Sequence, residues 1–265
     1  MTEQRFTTSD SVELSYRDYG PSGGIPVVVC HGIAVNSTQF IEDAEYLAAH
    51  GYRVLTPDLR GHGNSTIAPP RGESYLLQRL ARDQVEMLDH AGIGKAHWVG
   101  NSLGGMVGLT LLAHHAERLT SLTTFGTPYS MRLPVPGAQP FVTVNFAIWR
   151  WFVVNIAAAL CTRDAKARKR IVRMAMTANA RVLGAVAAAL TAYDYIDTVA
   201  AAPIPVMLLH CHRDLLLGWA MGRTLRQARG MQRLRFIDLP TGGHCANLDA
   251  TDAVRAALLG FWKSG

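Results

Sequence analysis

Six residues decide the fold of this chain: Gly-Asn-Ser-Leu-Gly-Gly at positions 100–105. They follow a short apolar segment, His97–Val99, that is typical of a buried strand, and they precede the helical apolar periodicity of Met106–Leu112. The spacing is that of the G-x-S-x-G elbow, in which a serine stands on a tight turn between a strand and a helix. Glycines two positions before and after Ser102 leave room for the strand and the helix to approach each other. The pattern predicts a serine hydroxyl presented at the end of a central strand.

Strand and helix patterns alternate along the rest of the chain. Strand character is found at residues 12–18, 25–30, 52–56, 119–125, 206–210 and 234–239. Helical periodicity is found at residues 37–50, 75–90, 103–115, 218–229 and 252–262. This alternation predicts an α/β fold, with a mostly parallel central sheet of about eight strands and helices on both faces. The first segment, 12–18, alternates in polarity, so we predict an edge strand there.

A long segment interrupts the alternation, and we see no clear strand in it. Prolines mark its two ends, namely Pro134, Pro136, Pro140, Pro203 and Pro205. Between them lie two or three helical stretches, which we expect to form a cap above the carboxyl ends of the strands, where open α/β sheets bind ligands. The sequence thus predicts a core domain of residues 1–127 and 203–265 and a helical cap of residues 128–202.

Composition narrows the class of protein. Hydrophobic residues make up 49% of the 265 residues and charged residues 17%, which provides a deep core and argues against disorder. The first ten residues lack the apolar run of a secretory signal, and the four cysteines are scattered, so we expect a cytoplasmic location. The formal net charge of +6 bears on partners and solubility. We recognise no nucleic-acid-binding module and expect no nucleic-acid partner.

One stretch of the inserted segment is long enough to span a bilayer. Phe141–Leu160 has Arg150 as its only charged residue, but Thr143, Asn145 and Asn155 also interrupt it. An arginine at the centre of a span costs roughly 2.5–3.5 kcal/mol on insertion scales. We therefore expect a cap helix with one face over an apolar pocket rather than a membrane span.

The order of the motifs resembles the α/β-hydrolase fold superfamily. Besides the elbow, His31-Gly32 ends a buried strand, and Gly242-Gly243-His244 lies near the C-terminus. Residues 58–65 have the sequence Asp-Leu-Arg-Gly-His-Gly-Asn-Ser, which is similar to the superfamily's D-x-x-G-x-G-x-S loop. The resemblance covers nearly the whole chain and is weakest in the cap. A serine at the elbow resembles the serine-nucleophile branch, with its esterases and enol-lactone hydrolases, whereas the superfamily's dehalogenases and epoxide hydrolases have aspartate there.

A serine hydroxyl is a weak nucleophile that needs a neighbouring base, and the base needs an orienting acid. His244 follows the last strand and is the candidate base. Asp214 follows the next-to-last strand and is the candidate acid, and the superfamily's chain order of serine, acid and histidine fits both. The resemblance implies that the backbone N–H groups of Ile33 and Leu103 form the oxyanion hole.

The cap gives the only hint about the substrate. It is rich in apolar and aromatic residues, and the candidate pocket residues are Asn101, Phe146 and Trp149. We expect hydrolysis of a carboxylic ester or lactone of a largely apolar small molecule (EC 3.1.1), through an acyl-enzyme and without a cofactor. The cap also carries a group of cations, either a solvated helix face or a site for an acidic carrier such as coenzyme A. They are Arg163, Lys166, Arg168, Lys169, Arg170, Arg173 and Arg181.

Several alternatives stay open at this stage. The elbow resembles that of C–C hydrolases acting on ring-fission diketones, although Cys245 stands where those enzymes commonly have an aromatic residue. A thioesterase or esterase acting on a carrier-bound acyl group is a second alternative, and a non-catalytic small-molecule-binding protein is a third. His210, Cys211 and His212 with Asp214 lack a standard zinc spacing, so we expect no metal site. The sequence does not indicate an oligomeric state.

Overall fold

The centre of the molecule is a large mixed sheet. The structure is a computed structural model that describes residues 1–69, 73–132 and 136–263. Its strands are Thr2–Thr7 (β1), Glu13–Tyr19 (β2), Ile25–Cys30 (β3), Tyr52–Pro57 (β4), Ala96–Asn101 (β5), Leu119–Phe125 (β6), Ser130–Arg132 (β7), Ala192–Asp194 (β8), Val206–Cys211 (β9) and Leu234–Leu239 (β10). Eight of them form the central sheet in the order β1-β2-β4-β3-β5-β6-β9-β10. Within the described residues of this central sheet, β2 pairs antiparallel with β1 and β4, and every other pairing is parallel. This confirms the predicted mostly parallel sheet.

Helices cover both faces of this sheet and form the inserted segment. The α-helices are Ile41–Ala49 (α1), Leu77–His90 (α2), Leu103–His114 (α3), Ala138–Cys161 (α4), Ala165–Ala175 (α5), Ala180–Ala189 (α6), Ile196–Ala200 (α7), Gly222–Ala228 (α8), Ala246–Asp249 (α9) and Thr251–Lys263 (α10). Short 3-10 segments lie at Ser37–Phe40, Ala116–Arg118 and Gly218–Met221. Together with the sheet, these helices confirm the predicted α/β class.

Strand β3 shows why the central strands are continuous apolar runs. Val28 and Cys30 belong to the cluster formed with α2 and α3, whereas Val27 and Val29 belong to the cluster formed with α1 and α10. Successive side chains of a strand point to opposite faces, so both faces of β3 need apolar residues. None of these four residues is more than 1% exposed. The same burial places the carboxyl end of β3, next to the elbow, in a rigid part of the core.

Two details of the strands differ from the prediction. The prediction that residues 12–18 form an edge strand is wrong, because β1 pairs outside β2. Phe6 is the only apolar residue of β1, so the strand has almost no hydrophobic signal. The inserted segment does contain strands, contrary to the prediction, because β7 and β8 pair antiparallel. Each has three residues, which is too short for a periodic pattern.

The inserted segment is dominated by α4, which packs against α5 and α6. α4 has non-helical backbone angles at Trp149 (φ −108°, ψ 24°), where two helical parts meet. By length and composition, α4 could cross a membrane, with 24 residues and a hydropathy of 1.5. Among the described residues, the pair α5 and α6, bent by 104°, is the other stretch that passes this test. The division into core and cap stays a prediction, and Pro134 lies outside the described residues.

Candidate active site

Ser102 stands at the junction of β5 and α3 in a strained conformation. Its backbone angles are φ 51° and ψ −114°, a region that residues with a side chain rarely adopt. The turn is held by hydrogen bonds from Ser102 N to Phe125 O (3.0 Å) and from Met106 N to Ser102 O (3.0 Å). A Cβ atom at Gly104 would overlap the carbonyl oxygen of Cys30, so only glycine lets α3 approach β3 this closely. The predicted strand–turn–helix elbow is therefore present.

The two other predicted catalytic residues form a buried pair. His244 Nδ1 lies 2.8 Å from Asp214 Oδ2, and both side chains are at most 5% exposed. Asp214 Oδ1 accepts hydrogen bonds from the backbone N–H groups of Leu216 (3.0 Å) and Leu217 (2.9 Å). Because a carboxylate only accepts, this geometry puts the proton of a neutral His244 on Nδ1 and leaves Nε2 as the basic nitrogen.

Burial and charge act against each other on this pair. Burial lowers the pKa of His244, but the hydrogen bond and the charge of Asp214 outweigh it and raise the pKa above the ordinary value of 6.5. Burial raises the pKa of Asp214, but the hydrogen bond and charge of His244 and the two backbone donors lower it below the usual value. The arrangement therefore stabilises an imidazolium ion next to an ionised carboxylate.

Ser102 and His244 pack against the same turn at the end of β6. Ser102 is bonded to Phe125 O, and the next residue, Gly126, lies so close to His244 that a Cβ atom there would be 2.9 Å from its Nδ1 atom. The neighbouring Asn101 also reaches the histidine loop, where its Nδ2 donates to His244 O at 2.8 Å. The structure thus places Ser102 and the His244–Asp214 pair around the turn at the end of β6.

The two predicted oxyanion donors come from the residue after Ser102 and from the loop after β3. Leu103 is the first residue of α3, so its N–H group lies at the positive, N-terminal end of the helix dipole and has no partner within the helix. Ile33 follows Gly32, where a Cβ atom would be 3.4 Å from the Cβ atom of Ser102. Within the described part of the chain, no acceptor is found for the N–H groups of Ile33 or Leu103. Both donors are therefore available to a ligand oxygen.

A buried amide network that sequence reasoning missed connects the elbow to the histidine loop. Gln39 Nε2 donates to Asn101 Oδ1 (2.9 Å) and to Asn247 Oδ1 (3.0 Å). Asn247 Nδ2 donates to Asp43 Oδ2 (3.0 Å). The other oxygen of this carboxylate, Asp43 Oδ1, accepts a hydrogen bond from Arg255 Nε (2.9 Å). Nothing in the sequence indicates these partners, because Gln39 and Asn247 are 208 positions apart.

The histidines of the other two motifs, His31 and His62, support the loops. His31 Nε2 accepts a hydrogen bond from Leu59 N (3.0 Å), and its Nδ1 lies 2.7 Å from Gly32 O. Burial lowers the pKa of His31 and of His62 to about 4, so both rings are neutral near pH 7. Their contacts fit a structural role in these loops.

An apolar cavity of about 180 Å³ opens next to His244. Of the predicted pocket residues, Asn101 and Phe146 line it, and Ile33 does so as well. Trp149 does not line this cavity and is 55% exposed on the outside of α4. Residues of α4, α5 and α6 supply most of the wall, namely Val142, Phe146, Val153, Val154, Ala157, Ala158, Cys161, Ile171, Ala175 and Leu183. Two buried thiols that sequence reasoning did not assign to the pocket, Cys161 and Cys245, also line it.

A second group of titratable residues lies at the ends of β9 and β10. His210 Nδ1 (2.9 Å) and His212 Nε2 (2.8 Å) share the same oxygen, Asp238 Oδ1. These hydrogen bonds lower the pKa of Asp238. The three ligand atoms lie within 4.8 Å of one another, a spacing at which they could hold a metal ion. The histidines therefore meet Asp238 rather than Asp214, and the absence of a metal site stays a prediction.

Comparisons with known proteins agree with this architecture. Residues 25–152 match the family model of the alpha/beta hydrolase fold. The 3-oxoadipate enol-lactonase 1 of Acinetobacter baylyi is 26% identical over 267 residues, which cover 97% of this chain and 96% of that protein. Epoxide hydrolase A of Mycobacterium tuberculosis is 33% identical over 138 residues, which cover 52% of this chain and only 42% of that protein. A thermophilic esterase from Thermogutta terrifontis has the same fold, with a TM-score of 0.83, 22% identity and coverage of 100% and 99% of the two chains.

The sheet order, the strained serine elbow and the match of residues 25–152 to the family model define one fold. The chain has the α/β-hydrolase fold.

Proposed function

We propose that this protein is a serine hydrolase that cleaves a carboxylic ester or lactone of a small, largely apolar molecule. The observation that carries the proposal is the buried His244–Asp214 pair beside a serine held at φ 51°. The full-length similarity to an enol-lactonase supports the same reaction class. Epoxide opening, the activity named for the relative with 33% identity, is not supported, because residue 102 is serine where the resemblance predicts aspartate for that chemistry.

In the proposed mechanism, Ser102 Oγ attacks the carbonyl carbon while its proton passes to His244 Nε2. The tetrahedral oxyanion accepts hydrogen bonds from the N–H groups of Ile33 and Leu103. His244 then donates its proton to the leaving alkoxide, which releases the alcohol and leaves an acyl ester on Ser102. Water gives a proton to His244 and attacks this ester, and the collapse of the second intermediate returns the proton to Ser102 and frees the acid. With a lactone, the alcohol and the acid stay in one product.

The cavity indicates the size and polarity of the acyl group. Its volume of about 180 Å³ and its apolar wall suit a short or branched hydrocarbon or a single ring. The polar groups that face this space come from the core, at His244 and Asn101. A carbonyl bound between Ile33 and Leu103 would therefore direct its apolar part toward the cap.

The experiment that tests this proposal is a hydrolysis screen with matched serine variants. The substrates are p-nitrophenyl esters of increasing chain length, lactones, thioesters and vinylogous diketones. Ser102→Ala should abolish turnover, whereas Ser121→Ala, which removes a buried hydroxyl bonded to His97, should leave it unchanged. Turnover of esters by Ser102→Ala at the wild-type rate would rule out the mechanism. Turnover of diketones alone would favour C–C hydrolysis, and binding without turnover would favour a non-catalytic receptor.

A carrier-bound acyl substrate is a second proposal. It is supported by a cleft of about 530 Å³ between α5 and the start of α1, lined by cations. One of them, Arg170, is already occupied, because it bonds Glu42 Oε1 (2.9 Å) and Thr38 O (2.7 Å) and so ties α5 to the core. Lys166→Gln with Lys169→Gln should raise the KM for an acyl-coenzyme A and leave that for a p-nitrophenyl ester unchanged. An unchanged KM for the thioester would exclude the carrier.

A further inference from the structure

The outer side of α4 presents a continuous apolar surface to solvent. The residues that form this surface recur every three or four positions along the helix or lie beside that row. Their side chains are 51–68% exposed. We call them the α4 face: Phe141, Val144, Ile148, Trp149, Trp151, Phe152 and Ile156. Soluble helices normally turn such a stripe toward the core, and a large exposed apolar patch marks a surface that contacts another body.

The main polar side chains of α4 are hydrogen-bonded within the protein. Arg150, the only charged residue of the helix, is turned inward, where its Nη1 donates to Met176 O (2.8 Å) and its guanidinium lies 5.0 Å from the centre of the Phe146 ring. Asn145 and Asn155 each donate to a carbonyl one helical turn earlier, both at 2.8 Å. Because these donors are already bonded, moving the α4 face out of water leaves few groups unsatisfied.

Cations without acidic partners follow directly after this helix. Arg163 comes three positions after Leu160 and is exposed. Lys166, Lys169 and Arg173 are exposed and share one side of α5, since they are three and four positions apart. Among the described residues, none of these four cations has a carboxylate oxygen within 4.0 Å. Exposed cations without a carboxylate partner therefore follow the apolar helix directly along the chain.

We propose that the α4 face docks this protein on an anionic phospholipid bilayer, with α4 lying in the interface rather than crossing it. Interfacial helices combine an apolar face that carries Trp, Phe and Leu with Lys and Arg that meet anionic head groups. Trp149 and Trp151 are suited to this level of the membrane, where indole rings concentrate. An anionic phospholipid bilayer offers hydrocarbon that can contact the α4 face and negatively charged head groups that can contact the cations.

Two other occupants explain only half of the surface. A second copy of this chain, related by a two-fold axis, would cover the apolar stripe but would present the same cations again and no anionic partner for them. An acidic carrier would neutralise the cations but would leave the stripe in water. The bilayer accounts for both, and it also lies opposite the cavity, because Val142, Val153 and Val154 line that cavity from α4. Entry of a lipid-soluble ester from the membrane follows from this position, and that step rests on the proposed function.

Vesicle flotation tests the proposal directly, with vesicles of phosphatidylcholine alone and of phosphatidylcholine mixed with phosphatidylglycerol. The wild-type protein should float with the mixed vesicles, and its tryptophan emission should shift to shorter wavelength as Trp149 and Trp151 leave water. Ile148→Gln with Phe152→Gln should weaken binding by roughly tenfold or more, since two apolar side chains are lost. Neither residue lines the cavity. The matched control is Ile25→Gln with Ile67→Gln, two exposed apolar residues outside the cap, which should bind like wild type.

The charged part of the surface has its own variant. Lys166→Gln, Lys169→Gln and Arg173→Gln together should weaken binding to the mixed vesicles on the order of a hundredfold at low salt, at about fivefold per cation. Circular dichroism and thermal unfolding of each variant show that it is folded. The proposal is overturned if wild-type protein does not float with the mixed vesicles, or if the α4 variant floats as well as the control.

Two further results separate this inference from its competitors. A dimer in analytical ultracentrifugation that Ile148→Gln with Phe152→Gln dissociates, without vesicle binding by wild type, would assign the α4 face to self-association and overturn docking. Ser102→Ala should float like wild type, because docking does not depend on the reaction. If the wild-type protein floats but hydrolyses nothing, the proposed function fails and the docking surface stands.

Discussion

Asp214→Asn tests the geometry of the base most sharply. In the structure, Asp214 Oδ2 faces His244 Nδ1 at 2.8 Å, while Oδ1 accepts from two backbone N–H groups. An asparagine that keeps its oxygen on those two donors turns its NH2 group toward Nδ1. His244 must then accept at Nδ1 and carry its proton on Nε2, the nitrogen that takes the proton of Ser102 in the proposed mechanism.

The expected loss is large and has a characteristic dependence on pH. A wrong tautomer of this kind lowers kcat by about 10⁴-fold, which corresponds to about 5 kcal/mol of activation free energy. In the wild type, burial lowers the pKa of His244, and the Asp214 hydrogen bond and charge raise it by more, so activity should rise with pH through a pKa above 6.5. Without the Asp214 charge, burial, which is the largest single influence and lowers the pKa of His244, is opposed only by the smaller effect of Cys161. The acid limb of the pH–rate profile should therefore move to lower pH in the variant.

The assay is kcat/KM for the best ester of the screen, measured across the acid limb for wild type, Asp214→Asn and a control. The control is Asp238→Asn, which removes a carboxylate that also bonds histidines, His210 and His212, but outside the proposed triad. It should retain the wild-type rate and acid limb. An Asp214→Asn variant within about tenfold of wild type, or one whose acid limb moves to higher pH, would refute the assignment of Asp214.

Three further predictions concern the elbow, the core and the cavity. In Gly104→Ala, the added methyl group overlaps Cys30 O, so we expect the free energy of unfolding to fall by about 1–3 kcal/mol in urea denaturation. We also expect a lower kcat. A variant with wild-type stability and rate would contradict this. Arg60→Met should lower the free energy of unfolding by about 3–5 kcal/mol, since Asp83 is fully buried and loses two hydrogen bonds to the guanidinium; equal denaturation midpoints would contradict it. Phe146→Ala should enlarge the cavity and move the chain-length optimum of p-nitrophenyl esters toward longer acyl groups, and an unmoved optimum would show that Phe146 does not limit the substrate.

The sequence predicted the central strands well because each must be apolar on both faces. The predicted bounds 25–30, 119–125 and 234–239 coincide with β3, β6 and β10. β1 escaped prediction because an edge strand needs little apolar surface, and Phe6 is its only apolar residue. β7 and β8 depend on a pairing between residues at least sixty positions apart, which no local pattern reveals.

The candidate site was predictable where chain order and motif define it, and not where folding defines it. Ser102, His244 and Asp214 follow from an elbow and from the loops after known strands. The orientation of α4 does not, because that helix is apolar on both its inner and its outer sides. Phe146 therefore lines the cavity while Trp149, three positions later, is exposed at the break in the helix.

Covalent labelling shows whether Ser102 is an activated nucleophile. The folded protein is treated with a fluorophosphonate, and the adduct is located by intact-mass and peptide mass spectrometry. We expect one adduct per chain of the wild-type protein, on Ser102. The adduct should form more slowly in Asp214→Asn and not at all in Ser102→Ala. A folded protein that stays unlabelled, or that carries its adduct on another residue, would contradict it.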